Sequence, residues 1–225
     1  HKEKLKLLKE NVDTLTMTAT PIPRTLHMSL AGIRDISVIN TPPNIRIPVQ
    51  TYVVEESDAL FKDAITRELA REGQVLVMHN RVETIYKLAD KLKTIVPEAK
   101  IIVAHGQMDA KTLEDSVMKF YDGDYNVLVA TTIIENGIDL PRANTIIVTD
   151  SDKLGLSTLY QLKGRVGRSN VMAHAYFTFD RDKVMSEAAY KRLSALTEFT
   201  EMGSGYKIAM RDLEIRGAGN VMGKE

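Results

Sequence analysis

Four uninterrupted apolar runs limit what this chain can fold into more than any other feature. None of them alternates with polar residues, so each is expected to be buried on both faces, as the strands of a parallel sheet are. The runs span residues 75–78, 101–104, 127–130 and 146–148, and a further strand-like run spans 49–54. The sequence therefore predicts a sheet with both faces covered.

Amphipathic segments separate the runs and are predicted to be helices. The first spans residues 58–71, and its inward-facing apolar residues are Leu60, Phe61, Ala64, Ile65 and Leu69. The second carries an apolar stripe of Ile85, Leu88, Ala89, Leu92, Ile95 and Val96. The third, which Asp109 can cap, carries Leu113, Val117, Phe120 and Tyr121. Because strand–helix–strand units make right-handed crossovers, we predict an open, mainly parallel α/β sheet.

The two flanking segments follow different patterns from the sheet region. Residues 1–45 contain only short elements and a proline-rich linker, too little for a core of their own, and are expected to be the end of a preceding domain. Residues 46–180 hold the predicted sheet. Residues 181–225 are expected to form a helical extension, with a long helix over 185–202 and a short one over 208–213.

Composition excludes several classes of function. The 225 residues include 30 lysines and arginines against 30 acidic residues, so no global basic field indicates a nucleic-acid partner. The absence of cysteine excludes disulfides and zinc–thiolate sites. Without a signal peptide or a long apolar run, no membrane partner is expected and the cytoplasm is favoured. Because the first residue is His1, we expect the chain to be cut from a longer protein.

Polar or small residues follow each of the four apolar runs. In a parallel sheet, ligands bind outside the carboxyl ends of the strands, so these residues are the candidates for a site. They are His79, Asn80 and Arg81, then His105, Gly106 and Gln107, then Thr131 and Thr132, then Thr149 and Asp150. The alternative is that strands simply tend to end in polar residues. No carboxylate or cysteine cluster accompanies either histidine, so no metal site is expected.

The segment 131–139 is a second candidate site. The paired hydroxyls of Thr131 and Thr132 can donate to a backbone phosphate. Gly137 permits close approach of the backbone, and Asp139 can accept a hydrogen bond from a sugar hydroxyl. Taken alone, the same residues are also consistent with an ordinary loop and its turn glycine.

Two arginines near residue 165 suit a phosphate that gains negative charge during transfer. Each follows a glycine, in the pairs Gly164-Arg165 and Gly167-Arg168, and Gln161 opens the run. A Walker A loop, G-x-x-x-x-G-K-[ST], would hold the other side of a nucleotide, and the chain contains none. The arginines therefore indicate half of a nucleotide site.

These motifs resemble those of superfamily 2 helicases, in which two RecA-like domains sandwich ATP and track along a nucleic acid. Residues 18–20, 131–139 and 161–168 are similar to motifs III, V and VI, and Asn80 and Arg81 match motif IV. The segments 18–35 and 198–220 resemble the family that contains RecG helicases and bacterial transcription-repair coupling factors, and the coupling factors more closely. The resemblance covers essentially the whole chain. It implies a RecA-like fold with a C-terminal helical translocation motif.

The resemblance also implies roles for single residues. Arg165 and Arg168 would be arginine fingers that reach ATP held by the missing first RecA-like domain. The same side of the nucleotide would be shaped by Gln161, Gly137, Gly164 and Gly167, with Asp139 at the ribose. Nucleic acid would lie along Arg24, Asn80, Arg81, His105, Gly106, Thr131 and Thr132. Coupling between ATP state and movement would involve Thr18, Thr20, Arg211 and Arg216, although Glu214 and Arg216 could also be an ordinary surface pair.

The expected function is that of the second motor lobe of an ATP-dependent DNA translocase. In the intact protein, ATP with Mg²⁺ would drive movement along double-stranded DNA and displacement of stalled RNA polymerase in transcription-coupled repair. RNA polymerase and repair proteins would bind domains outside this chain. Without Walker motifs, the chain alone is expected to bind no nucleotide and to be inactive. The alternatives are a RecG-type branch-migration helicase lobe and a non-enzymatic nucleic-acid-binding module.

Overall fold

A computed structural model of the protein describes residues 49–131, 139–166, 170–180 and 182–198, together with residues 15, 37, 211, 214 and 215. The short elements expected in residues 1–45 and the helix expected over 208–213 lie almost wholly outside the described residues. The three-domain division therefore stays a prediction.

Strands and helices alternate along the described chain. The strands are β1 (Gln50–Glu55), β2 (Gln74–Met78), β3 (Ile101–Ala104), β4 (Val127–Ala130), β5 (Ala143–Val148) and β6 (His174–Phe179). The helices are α1 (Asp58–Ala70), α2 (Val82–Ile95), α3 (Ala110–Tyr121), α4 (Leu156–Lys163) and α5 (Glu187–Glu198), with a 3₁₀ turn at Ser151–Lys153. Among the described helices, none combines the length and apolarity that crossing a bilayer requires.

All six described strands pair in parallel, in the order β1-β6-β5-β2-β4-β3. This arrangement confirms the predicted open α/β sheet with helical cover. Strands β2, β4 and β5 are buried along their whole length, as uninterrupted apolar runs require. Strand β3 is an edge strand, and its central residues Ile102 and Val103 are only half-buried.

Alternation along each strand divides the core into two layers, because successive side chains point to opposite faces. Val75 and Val77 of β2 pack on one face with Phe61 of α1 and with Ile85 of α2. Leu76 of β2 packs on the other face with the apolar residues of α3, α4 and α5, which include Phe120, Leu159 and Leu196. The predicted helix stripes therefore correspond to one face or the other of the same sheet.

Several local expectations require correction. Asp109 occupies the N-cap of α3, but its side chain makes no capping bond. Tyr121 was expected to point inward and is 46% exposed, because it lies in the last turn of α3, beyond the packed stripe. The helix expected over 185–202 begins at Glu187, and residues 199–202 lie outside the described part. Neither β6 nor α4 was predicted from the sequence.

Candidate functional site

The carboxyl ends of the strands meet at one edge of the sheet, which we call the polar edge: residues 79–81, 105–107, 131 and 149–150. The backbone ladder continues past the strand ends and holds this edge in register. The amide of His79 donates to the Ala130 carbonyl at 2.8 Å, and that of Thr149 donates to the Met78 carbonyl at 3.0 Å. Residues that follow β2, β4 and β5 are thereby side by side.

His79 ties three elements of the polar edge together. Its Nδ1 lies 2.7 Å from the hydroxyl of Thr149, after β5, and its Nε2 lies 2.7 Å from the hydroxyl of Thr84, in α2. Burial lowers the pKa of the His79 ring; the charge of Asp150 partly opposes this effect, and the charge of Arg81 adds to it. The ring is therefore a neutral link between hydroxyl groups at neutral pH.

Arg81 supplies a positive charge at the polar edge. Its Nε lies 3.4 Å from Oδ2 of Asp150, and the side chain remains 44% exposed. Lys153, which the sequence analysis did not single out, lies 3.8 Å from the other oxygen of Asp150. Asp150 has a left-handed backbone, with φ of 50°, which aspartate tolerates better than most residues. Asn80, beside Arg81, is exposed.

His105 is buried at the polar edge, with only 8% of its surface exposed. The Gln107 amide donates to its Nδ1 at 3.2 Å, and its Nε2 lies 2.9 Å from the hydroxyl of Tyr86. The two rings meet edge to face, with centroids 5.5 Å apart. The exposed group at this point is Tyr86 of α2, which the sequence analysis missed. Gly106 is also exposed.

Thr131 is placed at the polar edge, but its side chain is 4% exposed. Its hydroxyl is buried and has no hydrogen-bond partner among the described residues. Residues 132–138, which include Thr132 and Gly137, lie outside the described part of the chain. Asp139, where the description resumes, is exposed.

Helix α4 carries the candidate nucleotide-side residues. Its last turn continues through Gly164, whose amide donates to the Tyr160 carbonyl, and Arg165, whose amide donates to the Leu162 carbonyl, both at 3.0 Å. Gln161 and Arg165 are half-buried, and Gly164 is exposed. Gly167 and Arg168 lie outside the described residues, so the structure places only the first of the two arginines.

The backbone of Gly164 does not itself require glycine. Its φ is −70°, a value that any residue adopts. Among the described residues, a Cβ atom built there would meet no heavy atom closer than 3.4 Å, the distance to the Gln161 carbonyl oxygen. The described part of the chain therefore leaves room for a side chain at this exposed position.

Four of the five remaining predicted residues lie outside the described part: Arg24, Thr18, Thr20 and Arg216. Arg211 is described, and its guanidinium makes an ion pair with Glu214 at 3.1 Å. A surface ion pair was considered for Glu214 with Arg216, and the structure shows such a pair between Glu214 and Arg211 instead. The Nε of Arg211 is buried and has no partner among the described residues.

An acidic region at the ends of β1 and β6 was also missed. Glu56 follows β1, and its amide donates to the Phe179 carbonyl at 2.9 Å, which brings it beside Asp180. Burial raises the pKa of Glu56; Lys91 opposes this effect, whereas Asp150, Asp180 and Asp58 add to it. The edge is therefore basic near β2 and acidic near β1 and β6. Because β6 was not predicted, its neighbours could not be placed.

Comparison with known proteins agrees with this architecture. Residues 57–170 match the family described as helicase conserved C-terminal domain. Over 94% of the chain, a solved structure of RecG bound to a three-way DNA junction is 34% identical, with a TM-score of 0.75, and the match covers 28% of that protein. Saccharomyces cerevisiae Dbp5 bound to RNA and ADP BeF3, 17% identical with a TM-score of 0.61, shares the fold; 94% of this chain matches 57% of Dbp5.

Curated relatives match the whole chain. Transcription-repair-coupling factors from Bacillus subtilis and Staphylococcus haemolyticus are 62% and 56% identical over all 225 residues. The chain spans 19% of the length of each. These identities confirm the resemblance to coupling factors. The match over residues 57–170 shows the family to which the chain belongs. The chain belongs to the family of helicase conserved C-terminal domains.

Proposed function

We propose that this chain is the second motor lobe of an ATP-dependent double-stranded DNA translocase of the coupling-factor type. The observation that carries the proposal is the 56–62% identity to coupling factors over the whole chain, together with the position of Arg81, His105 and Thr131 at one edge of a parallel sheet. In this proposal, residues 46–180 form the motor lobe, 1–45 end the preceding lobe, and 181–225 form the translocation motif.

The nucleotide side consists of Arg165, Arg168 and the exposed residues beside them. Gly164 and Asp139 are both exposed, as residues along one flank of a bound nucleoside triphosphate would be. ATP with Mg²⁺, when bound, supplies the phosphoryl transfer that drives the motor. The guanidinium groups stabilise the negative charge that develops during that transfer. Because this chain has no Walker A loop, the remaining contacts come from the first lobe.

The nucleic-acid side is the part of the polar edge around Arg81. An exposed guanidinium oriented by a carboxylate suits a phosphate of the DNA backbone, since such contacts position the protein without reading the bases. Asn80 and Gly106 are exposed on the same edge. Closure of the two lobes on ATP and their opening after hydrolysis would alternate tight and loose grips on the duplex. RNA polymerase would be displaced through domains outside this chain.

A RecG-type branch-migration lobe is the second candidate, favoured by the similarity to RecG, whose solved structure holds a three-way DNA junction. The two functions differ in their substrates. A coupling-factor motor displaces stalled RNA polymerase from duplex DNA, whereas a branch-migration motor moves a junction. Assays of both substrates on the full-length protein distinguish them, and junction movement without polymerase displacement would favour the second candidate.

Replacing one arginine tests the proposed nucleotide site. In the full-length protein, Arg168→Ala should reduce DNA-stimulated ATP turnover on the order of 10³-fold, because an arginine finger contributes about that much. Arg67→Ala, which removes an exposed arginine of α1 that pairs only with Asp63 in the described structure, is the matched control and should retain near-normal turnover. Normal turnover in Arg168→Ala would refute the finger assignment. The isolated chain should show no ATPase activity, and robust turnover by it would contradict a two-lobe site.

A further inference from the structure

Tyr86 is an exposed aromatic residue at the polar edge, outside the motif residues identified in the sequence. It lies in the second turn of α2, five residues after Arg81, and is 52% exposed. Its hydroxyl contacts the ring of His105, which directly follows β3. The contact brings Tyr86 to the carboxyl end of the sheet, although its own helix runs away from that edge.

Hydrogen-bond directions at His105 can be assigned from chemistry. The Gln107 amide can only donate, so Nδ1 of His105 accepts and carries no proton. An imidazole keeps at least one N–H, which must then be on Nε2. Nε2–H therefore donates to the Tyr86 oxygen 2.9 Å away. Since that oxygen is the acceptor in this contact, the hydroxyl proton of Tyr86 remains available to another acceptor.

We propose that the Tyr86 hydroxyl donates a hydrogen bond to a phosphate oxygen of the DNA backbone, and that His105 is the positioning residue that orients it. The inference rests on the proposed function, which places nucleic acid along the polar edge. It assigns His105 an indirect role, because its buried ring has both nitrogens engaged within the protein. The direct contact is then made by a residue outside the motifs.

Three features favour a phosphate oxygen as the acceptor. A hydroxyl that already accepts from an N–H is polarised into a better donor, and tyrosine hydroxyls are common phosphate donors. Arg81, which is the N-cap residue of α2, adds positive charge to the same edge. The N-terminus of α2 also lies there, with no side chain capping its first amides, and this end of a helix favours anions.

Removing only the hydroxyl tests the proposal. The test uses the full-length protein and a fluorescein-labelled duplex oligonucleotide of random sequence, with Kd measured by anisotropy over a range of NaCl concentrations. Tyr86→Phe should raise Kd about tenfold, the lower end for a hydrogen bond to a charged group. The slope of log Kd against log salt should not change, because the hydroxyl carries no charge. Tyr121→Phe, which removes an exposed hydroxyl from α3, is the control and should bind normally.

The role of His105 is tested by a double-mutant cycle. His105→Leu should weaken binding in the presence of Tyr86 but cause no further loss in Tyr86→Phe. His105→Gln, whose amide can still donate to the tyrosine, should restore part of the affinity. Equal losses in both backgrounds would overturn the positioning role, since His105 would then act without Tyr86.

Arg81→Ala separates the failure of this inference from failure of the proposed function. It should weaken binding and reduce the salt slope by about one. If Arg81→Ala behaves so while Tyr86→Phe binds like the wild type, the tyrosine contact is refuted and the DNA-binding edge stands. If neither change affects binding, or if the full-length protein does not bind the duplex, the edge itself is wrong and both proposals fail.

Discussion

Gly164→Ala should separate stability from activity, because the backbone tolerates a side chain that the proposed nucleotide site does not. With φ of −70° and no heavy atom of the described residues closer than 3.4 Å to the added Cβ, alanine fits the backbone at this position without strain. A Gly→Ala change at a compatible position stabilises a protein by about 0.4–1 kcal/mol, mainly by restricting the unfolded chain. For a chain of this size that raises Tm by about 1–4 °C.

Activity should change in the opposite direction. The methyl group occupies the solvent-side space that the proposal gives to a nucleotide, beside Arg165. We expect DNA-stimulated ATP turnover of the full-length protein to fall at least about tenfold, which corresponds to about 1.4 kcal/mol of lost transition-state stabilisation. Thermal unfolding followed by circular dichroism gives the stability, and phosphate release gives the turnover.

Gly123→Ala is the matched control. Gly123 has φ of 88°, and a Cβ there would collide with the guanidinium of Arg142. Neither residue lies in or next to α4 in the sequence. Alanine in the left-handed region costs about 1–2 kcal/mol, so Tm should fall while turnover at permissive temperature is retained. A Gly164→Ala protein that is as active as the wild type would refute the proposed nucleotide position. A Gly164→Ala protein with a lower Tm than the wild type would refute the conclusion that the backbone at this position tolerates alanine.

Two further predictions concern stability. Because burial lowers the pKa of His79 in the folded state, the unfolded chain binds more protons as pH falls through about 6.5, so the free energy of unfolding should decrease there. In urea titrations from pH 7.5 to 5, His79→Gln should reduce that dependence, and an unchanged pH profile would contradict the assignment. Phe120→Ala removes a fully buried ring between α3 and the sheet and should cost about 3–5 kcal/mol. Met118→Ala, 45% exposed on the same helix, should cost less than about 0.5 kcal/mol, and similar losses for both would contradict the packing.

The sequence predicted the parallel sheet because its central strands have a strong and specific signature. Continuous runs such as 127–130 are stable only where both faces are covered, and the intervening helices have clear apolar stripes. Strand β6 has no such signature, because His174 and Thr178 are interspersed with one tyrosine and two phenylalanines and give a mixed pattern. The spatial order of the strands could not be predicted either, because it depends on crossovers that the pattern of apolar residues does not specify.

The candidate site was only partly predictable for a similar reason. Motif positions such as Arg81 and Asp139 could be recognised in the sequence, and the structure places both at the surface. Whether a polar residue after a strand faces solvent or the interior depends on its neighbours, as the buried ring of His105 illustrates. Tyr86 lies outside the motif residues identified in the sequence, and its contact with His105 brings it to the polar edge.

The position of β6 affects when the sheet can be completed during translation and where the lobe can be truncated. The last described strand in the chain inserts between the first strand, β1, and β5, so the edges of both strands remain unpaired until a segment that is translated after the other described strands is added. Both β1 and β6 lie outside residues 57–170, which match the helicase family. A protein truncated to residues 57–170 would lack β6, so the edge of β5 would be exposed and could pair with a strand of another chain. Such a truncated protein is expected to aggregate.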